Sequence, residues 1–372
     1  MNSPSTPTRV LHVINGEFYA GAERVQDLLA LRLGNHGYDV QFACLKQGLF
    51  DEKRQAREAP LHSLPMRSRA DFSACYRLAR VVRSERVRLV HTHSPRSALL
   101  GGLVARLARV PMVHHLHSPA ERDTENALRN VRNGFVERLS LREARRLIVV
   151  SDSLERHARD RGIAPERIRS IPNGVPIGER ARLPYVAGDT LQLGTVALFR
   201  PRKGIEVLLE AMAELRKSGI STTLRAVGPF ETPQYERHVH ELVQRLGLVS
   251  CVHWTGFRSD MTAEFRRMHV FVLPSLFGEG MPMVVLEAMA TGLPVVSTRV
   301  EGIPQVVRDG RDGVLVEPGN PVRLAQALAL IARGAKDTEG MGDSAWRRQR
   351  TGFSDISMAA GVAAVYQEVL AS

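Results

Sequence analysis

Residues 277–287 read Phe-Gly-Glu-Gly-Met-Pro-Met-Val-Val-Leu-Glu and form the centre of the most informative part of the sequence, Val270 to Pro318. An apolar run before this segment predicts a strand, its breaker residues predict a loop, and Pro282 begins a helical pattern. Because proline is favoured at the first helical position, Gly280 and Met281 are expected to present backbone N–H groups at a positive helix end. Such an end binds anions, of which phosphate is the usual one.

Two carboxylates flank this predicted anion site, Glu279 in the loop and Glu287 in the helix. A carboxylate accepts two hydrogen bonds at once, which suits the neighbouring hydroxyls of a ribose or a hexose. The pattern is therefore typical of a nucleotide-sugar site. The alternative is that Glu279 is a solvated loop residue and that Glu287 only favours the start of its helix.

Further segments continue the pattern: Leu286-Glu287-Ala288-Met289-Ala290, Gly292-Leu293-Pro294-Val295-Val296, Glu301-Gly302-Ile303-Pro304 and Asp312-Gly313-Val314-Leu315-Val316. With Glu279-Gly280-Met281-Pro282, they resemble the donor-site signature of retaining GT-B glycosyltransferases of family 4. The resemblance implies two Rossmann-like domains facing across a cleft, a nucleotide-sugar donor, and transfer with retention of the anomeric configuration.

The alternation of strands and helices independently favours an α/β fold with two doubly wound domains. A chain of 372 residues also exceeds what one hydrophobic core usually serves. We expect an N-terminal, acceptor-side domain over residues 1–180 and a nucleotide-sugar domain over 190–355. The resemblance adds that the last helix, residues 356–372, crosses back to the N-terminal domain.

Positive charge is concentrated in the first half of the chain. Residues 1–185 contain 31 Lys and Arg against 19 Asp and Glu, and the remainder is balanced. A basic domain beside a neutral one suggests an anionic partner, such as a membrane surface or a phosphorylated lipid, or else an arginine-rich solvated surface. Nucleic acid is disfavoured because aromatic residues are only 5% and no recognition motif is present.

The cysteines and the N-terminus bear on the compartment. Three widely spaced cysteines without a CxxC pair favour a reducing compartment and argue against a structural zinc site. The polar N-terminus lacks the features of a signal peptide, and no apolar run approaches the length of a membrane span. We expect a cytoplasmic protein, free or bound at the cytoplasmic face of a membrane.

The loop after the first predicted strand contains Gly16 and Gly21, which indicate close backbone approach or positive φ. In the family that the chain resembles, this glycine-rich loop usually reads GGAE and contacts the donor sugar or the acceptor. Here it reads Ala-Gly-Ala-Glu over residues 20–23, so that only Gly21 is assigned to the donor. The alternative is an ordinary turn into a helix that opens at Glu23.

Histidines end two predicted strands, His91 and His93 on one and His117 on the next. No acidic or cysteine partner adjoins them in sequence, so we expect no metal there. The resemblance assigns to His117 a contact with the donor sugar, and an imidazole can donate to a sugar hydroxyl. The alternative is a merely packed ring, and a register error of one residue would select the wrong one.

A basic loop at a helix start, Phe199-Arg200-Pro201-Arg202-Lys203-Gly204, can neutralise a diphosphate with side-chain charge and backbone donors. The family's usual G-R-x-x-x-x-K-G pattern matches at Lys203, but its arginine position is occupied by Leu198. We therefore expect Arg200 or Arg202 to take that role, Arg200 being the residue assigned. A solvated basic loop is the alternative.

The sequence therefore predicts a nucleotide-sugar-dependent glycosyltransferase without a cofactor, with Glu279 and His117 catalytic and Lys203, Arg200, Glu287, Gly280, Met281 and Gly21 binding the donor. No Asp-x-Asp pair is present to hold a divalent ion. The expected partners are a nucleotide-sugar donor, a glycan or lipid-linked acceptor such as a cell-envelope or exopolysaccharide precursor, and an anionic membrane surface. The alternatives are a non-enzymatic nucleotide-sugar-binding subunit, a UDP-sugar hydrolase or epimerase, and a basic surface-binding protein with a vestigial cleft.

Overall fold

The computed structural model of the protein describes residues 6–68, 71, 73–118, 141–180 and 183–371. The chain forms two compact units, the first made of residues 1–174 with 355–372 and the second of residues 175–354. Each unit has its own buried apolar core and its own parallel sheet.

The first unit is built on strands β1 (Thr8–Ile14), β2 (Tyr38–Cys44), β3 (Leu61–Ser63), β4 (Leu89–Thr92), β5 (Met112–Leu116), β6 (Arg146–Val149) and β7 (Ile168–Ser170). Among the described residues they form one parallel sheet in the order β3-β2-β1-β4-β5-β6-β7. Strands β4 and β5 are buried along their whole length, as expected when helices cover both faces of a sheet. The strand order reverses between β1 and β4, where ligands bind in doubly wound folds.

Helices connect these strands: α1 (Gly21–Leu33), α2 (Leu49–Lys53), α3 (Ser73–Ser84), α4 (Pro95–Ala108) and α5 (Asp152–Asp160). Ser151 follows an apolar strand pattern and precedes a helical one, which predicts it as the N-cap of α5, and this is confirmed because its side chain accepts from the Leu154 N–H at 3.5 Å. The helical spacing of Tyr76, Ala79, Val82 and Val87 predicts a helix over residues 70–88, of which residues 70 and 72 lie outside the described part, and the observed α3 ends earlier. Its described portion ends at Ser84 because Arg86 turns the chain with a φ of 54° toward β4.

The second unit contains β8 (Leu191–Val196), β9 (Thr222–Val227), β10 (Val252–Gly256), β11 (Val270–Leu273), β12 (Val295–Thr298) and β13 (Gly313–Val316). Within the described residues the order is β10-β9-β8-β11-β12-β13, all parallel, with the reversal between β8 and β11. Its helices are α6 (Ile205–Lys217), α7 (Pro233–Arg245), α8 (Met261–Phe265), α9 (Met283–Ala290), α10 (Ile303–Val306), α11 (Pro321–Ala332) and α12 (Thr338–Gly352).

Helix α12 was not predicted from the sequence. Glycines at 340 and 342 lower its intrinsic helix propensity, which obscures the pattern. The helix is nevertheless capped, because the Asp337 side chain accepts from the Gly340 N–H at 2.8 Å. Met341 and Ala345 lie on its buried face.

A final helix, α13 (Asp355–Ala371), belongs to the first unit and packs against α1. Its Tyr366 is fully buried, and the phenol oxygen bonds both His12 Nε2 at 3.0 Å and His91 Nδ1 at 2.6 Å. Farther along α13, Glu368 accepts from Arg146 at 2.9 Å and from Arg169 at 3.0 Å. These bonds join α13 to β1, β4, β6 and β7.

Candidate functional site

In the second unit, the loop after β8 meets the loop after β11 at the point where the strand order reverses. Gly204 makes this approach possible, because it has a φ of 67° and a Cβ there would lie 2.2 Å from the Pro274 carbonyl oxygen. Only glycine accommodates both conditions. The preceding 3-10 turn, Pro201–Lys203, consequently places the Lys203 side chain beside the Pro274 loop.

Lys203 and Glu279 form a buried ion pair at this junction. The Lys203 ammonium donates to Glu279 Oε1, and only 14% and 5% of the two side chains are exposed. Ser275 Oγ donates to the same carboxylate oxygen at 2.6 Å, and an Arg202 nitrogen lies 3.8 Å from it. The sequence-predicted Lys203 and Glu279 are therefore brought into direct contact.

Burial and charge act in opposite directions on this pair. Burial by itself would raise the pKa of Glu279, but Lys203 and Arg202 outweigh it and hold that pKa below its usual value. Burial lowers the pKa of Lys203, and the Glu279 carboxylate offsets part of this effect. The carboxylate is thus ionised at neutral pH and offers acceptor atoms in a largely dry site.

The two candidate arginines differ in their contacts. Arg202 donates to the carbonyl oxygens of Phe277 at 3.4 Å and Gly278 at 2.9 Å, which holds it against the Glu279 loop. Arg200 instead pairs with Glu231 at 3.3 Å. The sequence assigned Arg200 to the donor, whereas the described contacts bring Arg202 to Glu279.

The backbone of Glu279 is fixed by residues that the sequence did not single out for this role. Its N–H donates to the Glu301 carboxylate at 3.1 Å, and its carbonyl accepts from the Gly302 N–H at 2.9 Å. Glu301 itself has a positive φ of 33°, which is uncommon for a residue other than glycine. In the sequence, Glu301 was indicated through the Glu-Gly-Ile-Pro segment, which is part of the family signature.

The start of helix α9 differs from the prediction. Pro282 is the N-cap, with an extended ψ of 118°, so the helix begins at Met283. Gly280 and Met281 consequently lie in the loop before the helix, and the first helical amides are those of Met283 and Val284. Neither the N-cap nor the first helical position needs a backbone N–H for the helix. Proline therefore fits both positions, and the sequence could not distinguish them.

Glu287 lies in the second turn of α9, and only 8% of the residue is exposed. Like Lys203 and Glu279, it belongs to the second unit. Met281 is also buried, at 4% exposed.

In the first unit, five histidines lie on one face of the sheet near the carboxyl ends of three neighbouring strands. We call His12, His91, His93, His115 and His117 the histidine cluster. Parallel registers place His12 beside His91, and successive odd-numbered residues on β4 and β5 point to the same face. His93 Nδ1 lies 3.0 Å from His117 Nε2, and the rings of His115 and His117 stack with centroids 4.3 Å apart.

Burial lowers the pKa of every ring in the histidine cluster, to about 3 for His12 and for His117. His114, on the opposite face of β5, is lowered by burial to about 4, although its ring bonds Thr92 Oγ1 at 2.8 Å. The rings are therefore neutral at physiological pH. A neutral imidazole offers one N–H donor and one lone pair.

Gly21 is the first residue of α1, and Ala20 is its N-cap. The Glu23 side chain accepts from the Ala20 N–H at 3.4 Å, and burial raises the pKa of this carboxyl group. In the same loop Gly16 has a φ of 87°, and a Cβ there would lie 2.1 Å from Cys44 Sγ. The close approach predicted for this loop is confirmed at Gly16.

Two family models match the chain, "Glycosyltransferase Family 4" over residues 19–179 and "Glycosyl transferases group 1" over residues 190–333. The MMP alpha-(1->4)-mannosyltransferase of Mycolicibacterium hassiacum is 30% identical over 302 residues, which cover 73% of this chain and 69% of that protein. The chain belongs to glycosyltransferase family 4.

This family 4 glycosyltransferase has further relatives and structural neighbours. The Escherichia coli UDP-Gal:alpha-D-GlcNAc-diphosphoundecaprenol alpha-1,3-galactosyltransferase is 27% identical over 355 residues, 89% of each chain. A crystal structure of Anabaena Alr3699/HepE in complex with UDP-glucose superposes with a TM-score of 0.84 at 20% identity, covering 97% of this chain and 99% of that one. The predicted GT-B fold and the predicted enzyme class are confirmed.

Nothing in the sequence indicated that Ser275 and Glu301 contact Glu279, or that His115 lies with His93 and His117, and Arg200 was assigned in preference to Arg202. Each of these depends on loops or strands that meet only in the folded chain. As to the membrane, no helix in the described ranges combines the length and the apolar character needed to span a bilayer.

Proposed function

We propose that this glycosyltransferase moves a sugar from a nucleotide-sugar donor to a glycan or lipid-linked acceptor, with retention of the anomeric configuration. The observation that carries the proposal is the buried Lys203–Glu279 pair beside Arg202, at the strand-order reversal of the second unit. Ligands in doubly wound sheets bind at such a point. The donor complex of the Anabaena neighbour supports a nucleotide-sugar as the ligand.

In this proposal the cationic side chains bind the diphosphate. Lys203 is buried, so its charge acts in a low-dielectric site and is worth more than it would be in water. Arg202 supplies the second cation, in preference to Arg200, because it already lies within 3.8 Å of the Glu279 carboxylate. A diphosphate competes with Glu279 for the Lys203 ammonium and releases the carboxylate toward the sugar.

The remaining assigned residues contact the sugar and the nucleoside. Glu279 orients the sugar hydroxyls and stabilises the positive charge that develops at the anomeric carbon, and Glu287 accepts from the ribose hydroxyls. The loop backbone at Gly280 and Met281 faces the donor. For His117 and Gly21 of the first unit, the assignment to sugar binding stays a prediction from the family resemblance.

We propose that the transfer step needs no metal ion, because Lys203 and Arg202 neutralise the leaving diphosphate. The absence of an Asp-x-Asp pair from the sequence supports this. Retention follows if the acceptor attacks the face from which the diphosphate departs and the leaving phosphate takes the acceptor proton. The bond between the anomeric carbon and the phosphate oxygen then breaks as the glycosidic bond forms.

For the acceptor, we propose a lipid-linked or cell-envelope glycan reached from the cytoplasmic face of a membrane. The name of the Escherichia coli relative supports this, because that enzyme acts on a diphosphoundecaprenol-linked sugar. Charge also supports it: helix α3 exposes Tyr76, Arg80 and Arg83 on one face, while Leu107 of α4 is 58% exposed. Aromatic, apolar and cationic side chains together suit a lipid headgroup layer.

A donor screen tests the proposal. Thermal unfolding is measured with UDP-, GDP- and ADP-sugars and with the free nucleotides. A ligand present at a hundred times its dissociation constant stabilises the fold by about 2.7 kcal/mol. We expect stabilisation by one nucleotide series, and Lys203→Ala should abolish it.

The matched control for this screen is Lys217→Ala, which removes an exposed lysine paired with Glu214 and should leave the ligand response unchanged. Stabilisation that survived Lys203→Ala would place the donor elsewhere. A folded protein that responded to none of the nucleotides would overturn the proposal. Release of free sugar without an acceptor, at the rate seen with one, would favour the hydrolase alternative.

A further inference from the structure

The histidine cluster contains more ring nitrogens than its hydrogen bonds use. Among the described residues, six buried nitrogens of the cluster have no hydrogen-bond partner: His12 Nδ1, His91 Nε2, His93 Nε2, both nitrogens of His115, and His117 Nδ1. Buried polar atoms in proteins are nearly always paired, so a group of this size requires an explanation. A ligand that accepts several nitrogen lone pairs at once is the simplest one.

Ring nitrogens of the histidine cluster also converge. One nitrogen each from His93, His115 and His117 lies within 4.8 Å of the other two, and the same holds for His12, His91 and His93. In a tetrahedral zinc site with Zn–N bonds near 2.0–2.1 Å, ligand nitrogens are roughly 3.3 Å apart. His93 Nδ1 and His117 Nε2 are hydrogen bonded to each other at 3.0 Å, already close to that spacing, and a bound ion would replace this hydrogen bond with two metal–nitrogen bonds.

The sequence alone led us to expect no metal at His93 and His117, but with these contacts we propose that His93, His115 and His117 bind one divalent transition-metal ion of the Zn²⁺ class. Three neutral imidazoles without a carboxylate select Zn²⁺, Co²⁺, Ni²⁺ or Cu²⁺ over Mg²⁺ and Ca²⁺, which prefer oxygen ligands. Three protein ligands leave a fourth position for water or another small ligand.

This trio is favoured over the one that contains His12 and His91. Those two rings are held by the Tyr366 hydroxyl through His12 Nε2 and His91 Nδ1 and are fully buried. His117, in contrast, lies just beyond the end of β5 and is partly exposed. An ion therefore reaches the His117 side of the cluster without disturbing α13.

The proposed metal site lies in the first unit, on a different sheet from the Lys203–Glu279 pair, and goes beyond the proposed function. We assign the bound ion no role in neutralising the diphosphate of the donor. Metal binding is measured on the protein without a donor, so its outcome does not depend on whether the glycosyltransferase assignment of Lys203 and Glu279 is right.

Cobalt binding is the test. The full chain is stripped with a chelator, dialysed and titrated with Co²⁺ while the visible ligand-field band of tetrahedral cobalt is recorded. We expect one Co²⁺ per chain, displaced by Zn²⁺ and not by Mg²⁺. His115→Gln and His117→Gln should each weaken Co²⁺ binding at least about tenfold, because each removes one of three ligands.

Two further variants keep the test decisive. His253→Gln, an exposed histidine of the second unit, should leave Co²⁺ binding unchanged. His115→Cys should retain the ion and add a sulfur-to-cobalt charge-transfer band, which a merely structural role of His115 would not produce. Absence of tetrahedral Co²⁺ from the folded wild-type protein would overturn the proposal, as would loss of the band in His12→Gln but not in His115→Gln.

Discussion

At the scale of single residues, Lys203 and Glu279 are 76 positions apart and yet share a buried ion pair. Both were predictable from sequence because each lies in a loop between a strand and a helix with a recognisable pattern. The choice between Arg200 and Arg202 was not predictable. It depends on the direction that the turn before Gly204 gives each side chain, and only the fold fixes that direction.

The histidines illustrate the same limit. The period of two residues in β4 and β5 places alternate histidines on one face, and this could be predicted. Their meeting with His12 depends on β1 lying next to β4, which requires the strand order of the sheet. Tyr366 lies in α13, far from His91 along the chain, and no local sequence pattern indicated their contact.

A double-mutant cycle tests the Lys203–Glu279 pair. Glu279→Gln leaves a buried ammonium without its carboxylate and should lower the free energy of unfolding by about 3 kcal/mol. Adding Lys203→Met should recover at least about 1 kcal/mol of this loss, because the uncompensated charge is removed, while sugar transfer stays impaired. Urea unfolding and a transfer assay measure the two effects.

The exposed pair Lys217–Glu214 provides the control cycle, and its coupling should be within about 0.5 kcal/mol of zero. If Lys203→Met and Glu279→Gln were simply additive, the contact would carry no coupling free energy. If the double variant transferred sugar at the wild-type rate, Lys203 and Glu279 would lie outside the donor site.

At the scale of helices and strands, the sequence was most informative where the apolar pattern and the flanking residues indicated the same bounds for an element. The apolar pattern predicts a helix over residues 205–216 and a strand over residues 269–273, and the observed bounds of α6 and β11 each differ by one residue. Helix α12 was missed because burial of Met341 and Ala345, and not intrinsic propensity, stabilises it. The start of α9 was misplaced by one residue because Pro282 is compatible with both positions.

Helix α3 carries the prediction about the membrane. Its outward face displays Arg80 and Arg83, and each cation near an anionic bilayer contributes about 1 kcal/mol to binding. Arg80→Glu with Arg83→Glu should therefore weaken binding to vesicles rich in anionic lipid by a factor of about 30 or more. Co-sedimentation with vesicles of graded anionic content measures this change.

The matched control is Arg266→Glu with Arg267→Glu, an equal charge change at exposed positions of the second unit, which should have little effect on vesicle binding. Binding should also fall as salt is raised, since exposed charges are screened. Vesicle binding that ignored lipid charge, salt and the α3 substitutions alike would remove the membrane surface from the proposed partners.

At the scale of the whole molecule, the two units differ in how acid affects them. A histidine with a lowered pKa in the folded chain binds a proton in the unfolded chain below about pH 6.5 but not yet in the folded chain. Its effect on the free energy of unfolding is therefore absent above that pH and grows, as a loss of stability, as the pH falls toward the folded pKa. His12 and His114, with pKa values of about 3 and 4, should each lower the free energy of unfolding by about 2 kcal/mol at pH 5. Both belong to the first unit.

We therefore expect the first unit to lose about 4 kcal/mol or more between pH 7.5 and pH 5, a large fraction of a typical total stability. In the second unit, burial lowers the pKa of His269, so a smaller loss is expected there over the same range, and Glu279 and Asp312, whose pKa values are also lowered, destabilise that unit only at more acidic pH. Hydrogen exchange followed separately in the two units measures the difference. Equal losses of protection in both units above pH 5 would contradict this prediction.

The first unit is also assembled from two separate parts of the chain, and this matters while the protein is being made. Residues 355–371 leave the ribosome only after residues 175–354 have been synthesised, which takes roughly 10–40 s at 5–20 residues per second. Throughout that interval the nascent β1 and β4 lack the Tyr366 hydroxyl that will bond His12 and His91. The second unit, made from one continuous segment, is therefore free to fold first, and the part of the chain that is synthesised earlier is completed last.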